Sequence, residues 1–173
     1  MPHAERYEED DFPSVVLLLR EPDFPEPEGL LDIAQRAWGR GDPVEVVGTL
    51  GKKRSYVFSC QTSYGPLWFS IHTVGQPYGG DGREPLDVLQ RPWDEHRAWL
   101  SIDSPHQSNK KLATENALSD IYKVLAIYAF LIWSPNVLAV FFPAERTTIP
   151  NLGDLTASIQ WGRRNGLDLR FLD

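Results

Sequence analysis

A run of 19 residues without a charged side chain, Val124 to Phe142, limits the folds open to this chain more than any other feature. A membrane-spanning helix needs about 20 continuous apolar residues. Here Ser134-Pro135-Asn136 interrupts the run, and the residue before a proline is disfavoured in the helical region. The run therefore predicts a buried helix that turns into a buried strand, and it argues against a membrane span.

The N-terminal half predicts strands around one helix. Residues 14–20, SVVLLLR, form a continuous apolar run that is typical of a strand buried on both faces. Residues 30–38 have the i, i+3, i+4 apolar spacing of an amphipathic helix. A β-meander of three segments rich in β-branched and aromatic residues should follow, over residues 43–50, 55–62 and 67–74.

The C-terminal half begins with a long irregular excursion. Residues 75–92 hold four glycines and three prolines, which leaves room for little more than a helical turn around residues 85–89. The later elements are predicted as a strand over 94–103, a long helix over 115–133 with Thr114 as N-cap, a strand over 136–142, a helix over 151–164 and a terminal strand over 167–171.

These elements predict an α+β fold. We expect a mixed, mainly antiparallel sheet in the order β-α-β-β-β-loop-β-α-β-α, packed on a long central helix. Residues 13–173 are long enough for one domain with a sizeable core. Residues 1–12 are polar and acidic, and they predict a flexible tail.

The charge is distributed unevenly along the chain. The net charge is −7, and the first 28 residues hold nine acids and two bases, so the other 145 residues carry 15 of each sign. A protein that neutralises phosphates needs a surplus of Lys and Arg on one face, and attachment to anionic lipid needs a polybasic patch. We therefore expect neither nucleic acid nor a membrane as a partner.

The single cysteine, Cys60, excludes an intramolecular disulfide and fits a reducing compartment. The N-terminus has no basic segment followed by an apolar run, so no signal peptide is expected and a cytoplasmic location is predicted. A cysteine nucleophile would need a nearby base, and His72 is the obvious candidate. A tight turn at residues 64–65 would place Cys60 opposite Phe69 and His72 opposite Val57, on opposite faces of the hairpin. We interpret Cys60 as a buried, inert residue.

Metal binding has little support in the sequence. His96 and Asp103 lie seven residues apart on one predicted strand, about 23 Å, and face opposite sides. Asp103 and His106 are close in sequence, but two ligands do not define a metal site. We expect no metal, no cofactor and no catalytic residue.

Aromatic residues around the meander and the long excursion supply the clearest functional signal. Tryptophan and tyrosine are enriched at protein interfaces, and exposed aromatics beside a mobile loop mark a binding surface. The candidate residues for contact with a protein partner are Trp68, His72, Tyr78, Asp81, Arg83, Trp93, His96 and Trp99.

One stretch of the chain resembles a bacterial family. HRAWLSID (96–103), the helix ENALSDIYKVLAIYAFLIW (115–133) and the strand NVLAVFF (136–142) are similar in order and pattern to domain of unknown function 4261. VVLLLREPD and AQRAWG, near the N-terminus, also resemble segments of that family. The resemblance implies a bacterial origin and an α+β fold, and it brings no activity and no catalytic residues.

Three functions follow as hypotheses. The first is a non-catalytic cytoplasmic bacterial protein, of the immunity or adaptor type, that binds another protein through an aromatic-rich loop and sheet surface. The second is a small hydrolase or transferase with a site near residues 75–92, around His72 and His96. The third is a small-ligand sensor domain. Convergence of His72 or His96 on Cys60, Asp103 or His106 would favour the enzyme. The sequence leaves open whether the protein forms a homodimer.

Overall fold

The computed structural model describes residues 13–38, 45–49, 54–62, 65–79, 87–104 and 115–173. A seven-stranded sheet forms its centre, in the order β2-β3-β4-β5-β1-β6-β7, and every strand pairing among these residues is antiparallel. The strands are β1 (Ser14–Leu19), β2 (Glu45–Thr49), β3 (Arg54–Thr62), β4 (Gly65–Val74), β5 (Ala98–Asp103), β6 (Val137–Phe142) and β7 (Thr147–Pro150).

Within the described ranges, four α-helices accompany the sheet: α1 (Pro27–Trp38), α2 (Asp87–Glu95), α3 (Glu115–Ile132) and α4 (Leu155–Arg164). The predicted α+β class is confirmed. The predicted acidic tail, residues 1–12, lies outside the described residues. Among the residues that the structure describes, no helix is both long enough and apolar enough to cross a membrane.

β1 lies between β5 and β6, and all six of its residues are buried. Its side chains alternate between two covered sides of the sheet, which explains why its sequence is apolar throughout. We call the side of Val15, Leu17 and Leu19 the first face, and the side of Val16 and Leu18 the second face. The predicted strand buried on both faces is confirmed.

The first face carries the larger core. α1 and α3 pack against each other and contribute Leu30, Ala34, Tyr128 and Ala129 to the same buried cluster as Leu17. α3 is not buried all round, because Ile127 and Phe130 are 46% and 49% exposed. The first face therefore supplies most of the apolar burial, and α3 has a solvent-exposed side.

Residues 87–97 differ from the prediction: Asp87–Glu95 form α2, where the sequence predicted an irregular excursion to residue 92, with little more than one helical turn, and a strand from residue 94. Asp94 and Glu95 end α2 and are not part of a strand, so β5 begins at Ala98. Side-chain contacts one helical turn apart, Gln90 Nε2 to Asp94 Oδ1 at 2.8 Å and Arg91 Nε to Glu95 Oε1 at 2.7 Å, support the helix. The strand prediction for this part was wrong, as was the estimate that placed His96 and Asp103 on one strand.

Other elements differ as well, and α4 begins at Leu155, not at residue 151, because Asp154 is its N-cap. α1 begins at Pro27, three residues early, because proline suits the first helical turn. β7 was not predicted, since it is a four-residue edge strand that ends in proline. The terminal strand over 167–171 is wrong: Arg170–Leu172 form a 3-10 turn, and Phe171 packs 4.8 Å from the ring of Tyr122.

Candidate functional site

The second face brings five of the predicted binding residues together. The register pairs His72 with Ser101 and Val74 with Trp99, so His72 and Trp99 lie on the same side of the sheet as Val16. Tyr78 follows β4 and Trp93 lies on α2, and both pack on that side against Phe141. His96 is in ring contact with Trp93.

Four rings form what we call the aromatic platform: Tyr78, Trp93, Trp99 and Phe141. Tyr78 and Trp99 meet edge to face with centroids 5.2 Å apart, and Trp93 and Phe141 do so at 5.1 Å. Trp93 and Phe141 are buried, whereas Tyr78 and Trp99 are half-buried. The platform thus has a packed floor and two partly accessible rings.

His96 holds the backbone of two platform residues, Tyr78 and Trp93, through its ring nitrogens. It is 3% exposed, and its Nε2 accepts the backbone N–H of Tyr78 at 2.8 Å. Its Nδ1 lies 2.7 Å from the carbonyl oxygen of Trp93. Because a backbone N–H can only donate, Nε2 is unprotonated and Nδ1 carries the proton. His96 and Trp93 are therefore buried supports of the surface, and neither offers its side chain to a partner.

Beside the platform lies a group of polar side chains that we call the polar row: Ser14, Ser55, His72, Ser101 and Asp103. The Oγ of Ser55 lies 2.8 Å from His72 Nδ1, and His72 Nε2 lies 3.5 Å from Asp103 Oδ2. The Ser101 hydroxyl donates to the same Oδ2 at 2.7 Å, and the Ser14 hydroxyl donates to Oδ1. An alcohol, an imidazole and a carboxylate thus follow one another across three strands.

The hairpin register creates this arrangement. β3 and β4 pair so that Ser55 is opposite His72 and Cys60 is opposite Leu67. The predicted register, with His72 opposite Val57, was wrong by two residues because Thr62 pairs with Gly65, so the hairpin closes one residue earlier in the chain than the predicted turn at residues 64–65. A shift of two residues preserves the face of each side chain but changes its neighbour. Ser55 is the residue opposite His72, and Cys60 lies five residues further along β3.

Ser55 is the residue that sequence reasoning missed. Nothing in the local sequence RSYVF distinguishes it from other strand serines. Only the hairpin register pairs it with a histidine, so a correct turn assignment was the signal that could have found it. The convergence of His72 on Asp103 is the geometry that the sequence analysis assigned to an enzyme.

The remaining predicted residues can be placed only in part. Trp68 lies in β4, where its backbone pairs with Ser59. Asp81, Arg83 and His106 lie outside the described residues. Within the described ranges, no three or more His, Cys, Asp or Glu residues are grouped so that they could hold a metal ion.

A cavity of about 260 Å³ opens on the opposite side of β1. Its floor contains Leu17, Leu19 and Leu100, and Asp23 and Ser134 lie at its polar edge. The volume suits a ligand smaller than most drug-sized molecules. The hypothesis of a small-ligand sensor stays a prediction, and this cavity is the place to test it.

No family model, no curated protein and no solved structure matches the chain. The resemblance to domain of unknown function 4261 therefore stays a prediction, and the function must be argued from the second face.

Proposed function

We propose that this protein binds another protein through the second face, as an immunity- or adaptor-type partner. The observation that carries the proposal is the half-buried edge-to-face pair of Tyr78 and Trp99, which rests on buried Trp93 and Phe141. Aromatic rings that are partly exposed on a packed support have the character of interface hot spots.

The support under these rings lowers the cost of binding. Tyr78 is held through its backbone by His96, and its ring contacts three other rings of the platform. A side chain that is already ordered loses little rotamer freedom when a partner covers it. Tyr78 and Trp99 therefore provide apolar contact area with little further ordering.

His72 extends the surface on its polar side. The imidazole is 29% exposed, and Ser101, which pairs with His72, is two residues beyond Trp99 on β5. That spacing corresponds to about 7 Å along a strand. A partner seated on Tyr78 and Trp99 would reach His72 as part of a polar rim, which is the usual anatomy of a protein interface.

The nature of the partner follows from charge and location. Beyond residue 28 the chain carries equal numbers of acids and bases, so we expect shape and apolar contact, more than net charge, to select the partner. A cytoplasmic location is part of this proposal and is supported by the single cysteine. A bacterial origin rests on the resemblance described above.

The experiment is capture of partners from the source organism on the full chain, followed by calorimetric titration of the captured protein. The products of the neighbouring genes are tested first, and a toxin among them would favour the immunity type. Trp99→Ala should weaken binding about thirtyfold or more, which is the loss expected for a hot spot of about 2 kcal/mol. Phe130→Ala is the matched control, because Phe130 is an exposed ring on α3, the helix whose Tyr128 and Ala129 pack on the first face. Equal binding by Trp99→Ala and wild type would contradict the proposal.

A further inference from the structure

We propose that the polar row is an esterase site in which Ser55 is the nucleophile, His72 is the general base and Asp103 positions the imidazole. The inference does not depend on a protein partner, and it goes beyond protein binding. It would also replace the expectation of a non-catalytic protein. Its basis is one continuous arrangement, in which His72 Nδ1 faces Ser55 Oγ at 2.8 Å and Nε2 faces Asp103 Oδ2 at 3.5 Å.

The hydrogen bonds assign the protons. Both oxygens of Asp103 accept hydroxyl hydrogens, from Ser14 and Ser101, which favours the ionised carboxylate. A carboxylate can only accept, so the Nε2 that faces it carries the imidazole proton. Nδ1 is then left with a lone pair, and it accepts the hydroxyl hydrogen of Ser55.

This proton arrangement is the one that nucleophilic catalysis requires. A serine hydroxyl becomes a useful nucleophile when an adjacent base takes its proton and a third group orients that base. Asp103 is only 13% exposed, so its charge is poorly screened by water and stabilises the imidazolium that forms. The ring is reversed relative to the common serine hydrolase arrangement, in which Nε2 is the base. Either ring nitrogen can act as the base, because the base is whichever nitrogen faces the serine hydroxyl while the other carries the proton.

An ester would reach the nucleophile from the side of His72. Ser55 is 4% exposed, whereas its partner His72 is 29% exposed on the same face. The neighbouring aromatic platform indicates the substrate class. Its accessible rings, Tyr78 and Trp99, would hold an apolar acyl chain or an aryl group, and Trp99 lies on β5, two strands from Ser55 and two residues from Ser101, which pairs with His72.

The reaction consumes one water and releases an alcohol and an acid. The oxygen of Ser55 attacks the ester carbonyl carbon while its proton moves to His72 Nδ1. The tetrahedral intermediate then expels the alcohol, which takes that proton, and the acyl group remains on Ser55. Water attacks the acyl carbon and gives its proton to Nδ1, the bond to Ser55 Oγ breaks, and Oγ takes the proton back. No atom is oxidised or reduced.

The test begins with the full wild-type chain and needs no variant. An alkyl fluorophosphonate, which reacts with activated serines, should label Ser55, as located by peptide mass spectrometry. The chain should also hydrolyse p-nitrophenyl butyrate faster than the buffer does. Absence of labelling together with absence of hydrolysis above the buffer rate would overturn the proposal.

Variants then separate catalysis from packing. Ser55→Ala and His72→Gln should each lower kcat about 100-fold or more. Asp103→Asn should lower kcat with KM nearly unchanged, a split that a purely structural role would not produce. Ser59→Ala is the matched control, since Ser59 lies on the same strand and the same face as Ser55, four residues away. Loss of activity in the Ser59 variant equal to that in the Ser55 variant would overturn the assignment.

A cysteine at position 55 provides a second test of the nucleophile. If Ser55→Ala does not fold, Ser55→Cys retains a side chain of similar shape, and its thiol should react with iodoacetamide faster than free cysteine does. A thiol no more reactive than free cysteine would count against the proposal. If the wild-type chain shows no esterase activity but Trp99→Ala still weakens partner binding, the esterase proposal is overturned and the protein-binding proposal is supported.

Discussion

Ser55 and His72 stand directly opposite one another on β3 and β4, and the Ser55 oxygen lies 2.8 Å from Nδ1 of the imidazole. This cross-strand bond joins the outer part of the meander to Asp103 on β5, next to the central strand β1. The second face thus contains two neighbouring features, a polar row and an aromatic platform, each with its own histidine.

The two histidines are predicted to hold opposite tautomers. His72 carries its proton on Nε2 because Asp103 faces that nitrogen, and His96 carries its proton on Nδ1 because Nε2 accepts the Tyr78 N–H. Long-range nitrogen–proton NMR spectra above neutral pH should show one ring of each kind. Two rings with the same tautomer would contradict the hydrogen bonds described above.

Replacement of His96 by phenylalanine should destabilise the fold and loosen the platform. The substitution removes the ring nitrogens that bond to the Tyr78 N–H and to the buried carbonyl of Trp93. The loss of both contacts should lower the free energy of unfolding by about 3 kcal/mol. Urea unfolding measures the loss, and amide exchange at Tyr78 should become faster. Arg97→Ala, an exposed neighbour, should stay within about 0.5 kcal/mol of wild type. A similar effect for both variants would argue against a positioning role for His96.

Tyr128 should make the protein less stable in alkaline solution. Its hydroxyl donates to the carbonyl oxygen of Leu30 at 3.0 Å, and burial raises its pKa well above the ordinary value of 10.0. Above about pH 10 the unfolded chain ionises this tyrosine and the folded chain does not. The unfolded state then binds fewer protons, and stability falls by up to about 1.4 kcal/mol per pH unit.

Tyr128→Phe should remove this dependence. The variant should be about 1 kcal/mol less stable at neutral pH, because it lacks the hydrogen bond, but should lose less stability between pH 9 and 11. Urea unfolding across that range measures both effects. Parallel curves for wild type and variant would show that Tyr128 titrates normally in the folded state.

The ion pair of Asp168 and Arg170 should lower the pKa of Asp168 but should hardly change the free energy of unfolding. Two side-chain hydrogen bonds from Arg170, at 2.8 and 2.6 Å, lower the pKa of Asp168 to about 2. Any stabilisation from this lowered pKa is present when the pH is above the ordinary carboxyl pKa of 3.8, and it is lost as the pH falls toward 2. Both side chains are exposed, so solvent screens the interaction.

Arg170→Ala should therefore raise the pKa of Asp168 toward its ordinary value of 3.8, as followed by carboxyl NMR. The urea midpoint at neutral pH should not change measurably. Arg163→Ala, which removes the ion pair with Asp173, is the matched control and should leave the Asp168 titration as it is. An unchanged pKa in the Arg170 variant would show that the pair does not persist in solution.

The sequence predicted well those elements whose apolar pattern is long. The buried strand at residues 14–19 and the helix at 115–132 each have a pattern that few other structures satisfy. β7 and the last turn escaped prediction because short segments at a sheet edge or chain end are decided by tertiary packing. Phe171, for example, packs against Tyr122 and Phe142, which no local pattern reveals.

The candidate site was predicted only in part, for a different physical reason. His72, Tyr78 and Trp99 were identified by residue type, and the structure places them on one face. Ser55 was missed because its role depends on the hairpin register, which shifts by two residues when the turn moves by one residue along the chain. His96 was assigned to a strand, whereas it follows α2 and bonds to the backbone of Tyr78.

The most direct test of the central claim, that the second face is the binding surface, is calorimetric titration of the captured partner with three full chains. Wild type and Phe130→Ala should bind with equal affinity, and Trp99→Ala should bind about thirtyfold more weakly while retaining the wild-type far-ultraviolet circular dichroism spectrum. Equal affinity for all three chains would contradict the account, as would a loss of affinity confined to Phe130→Ala.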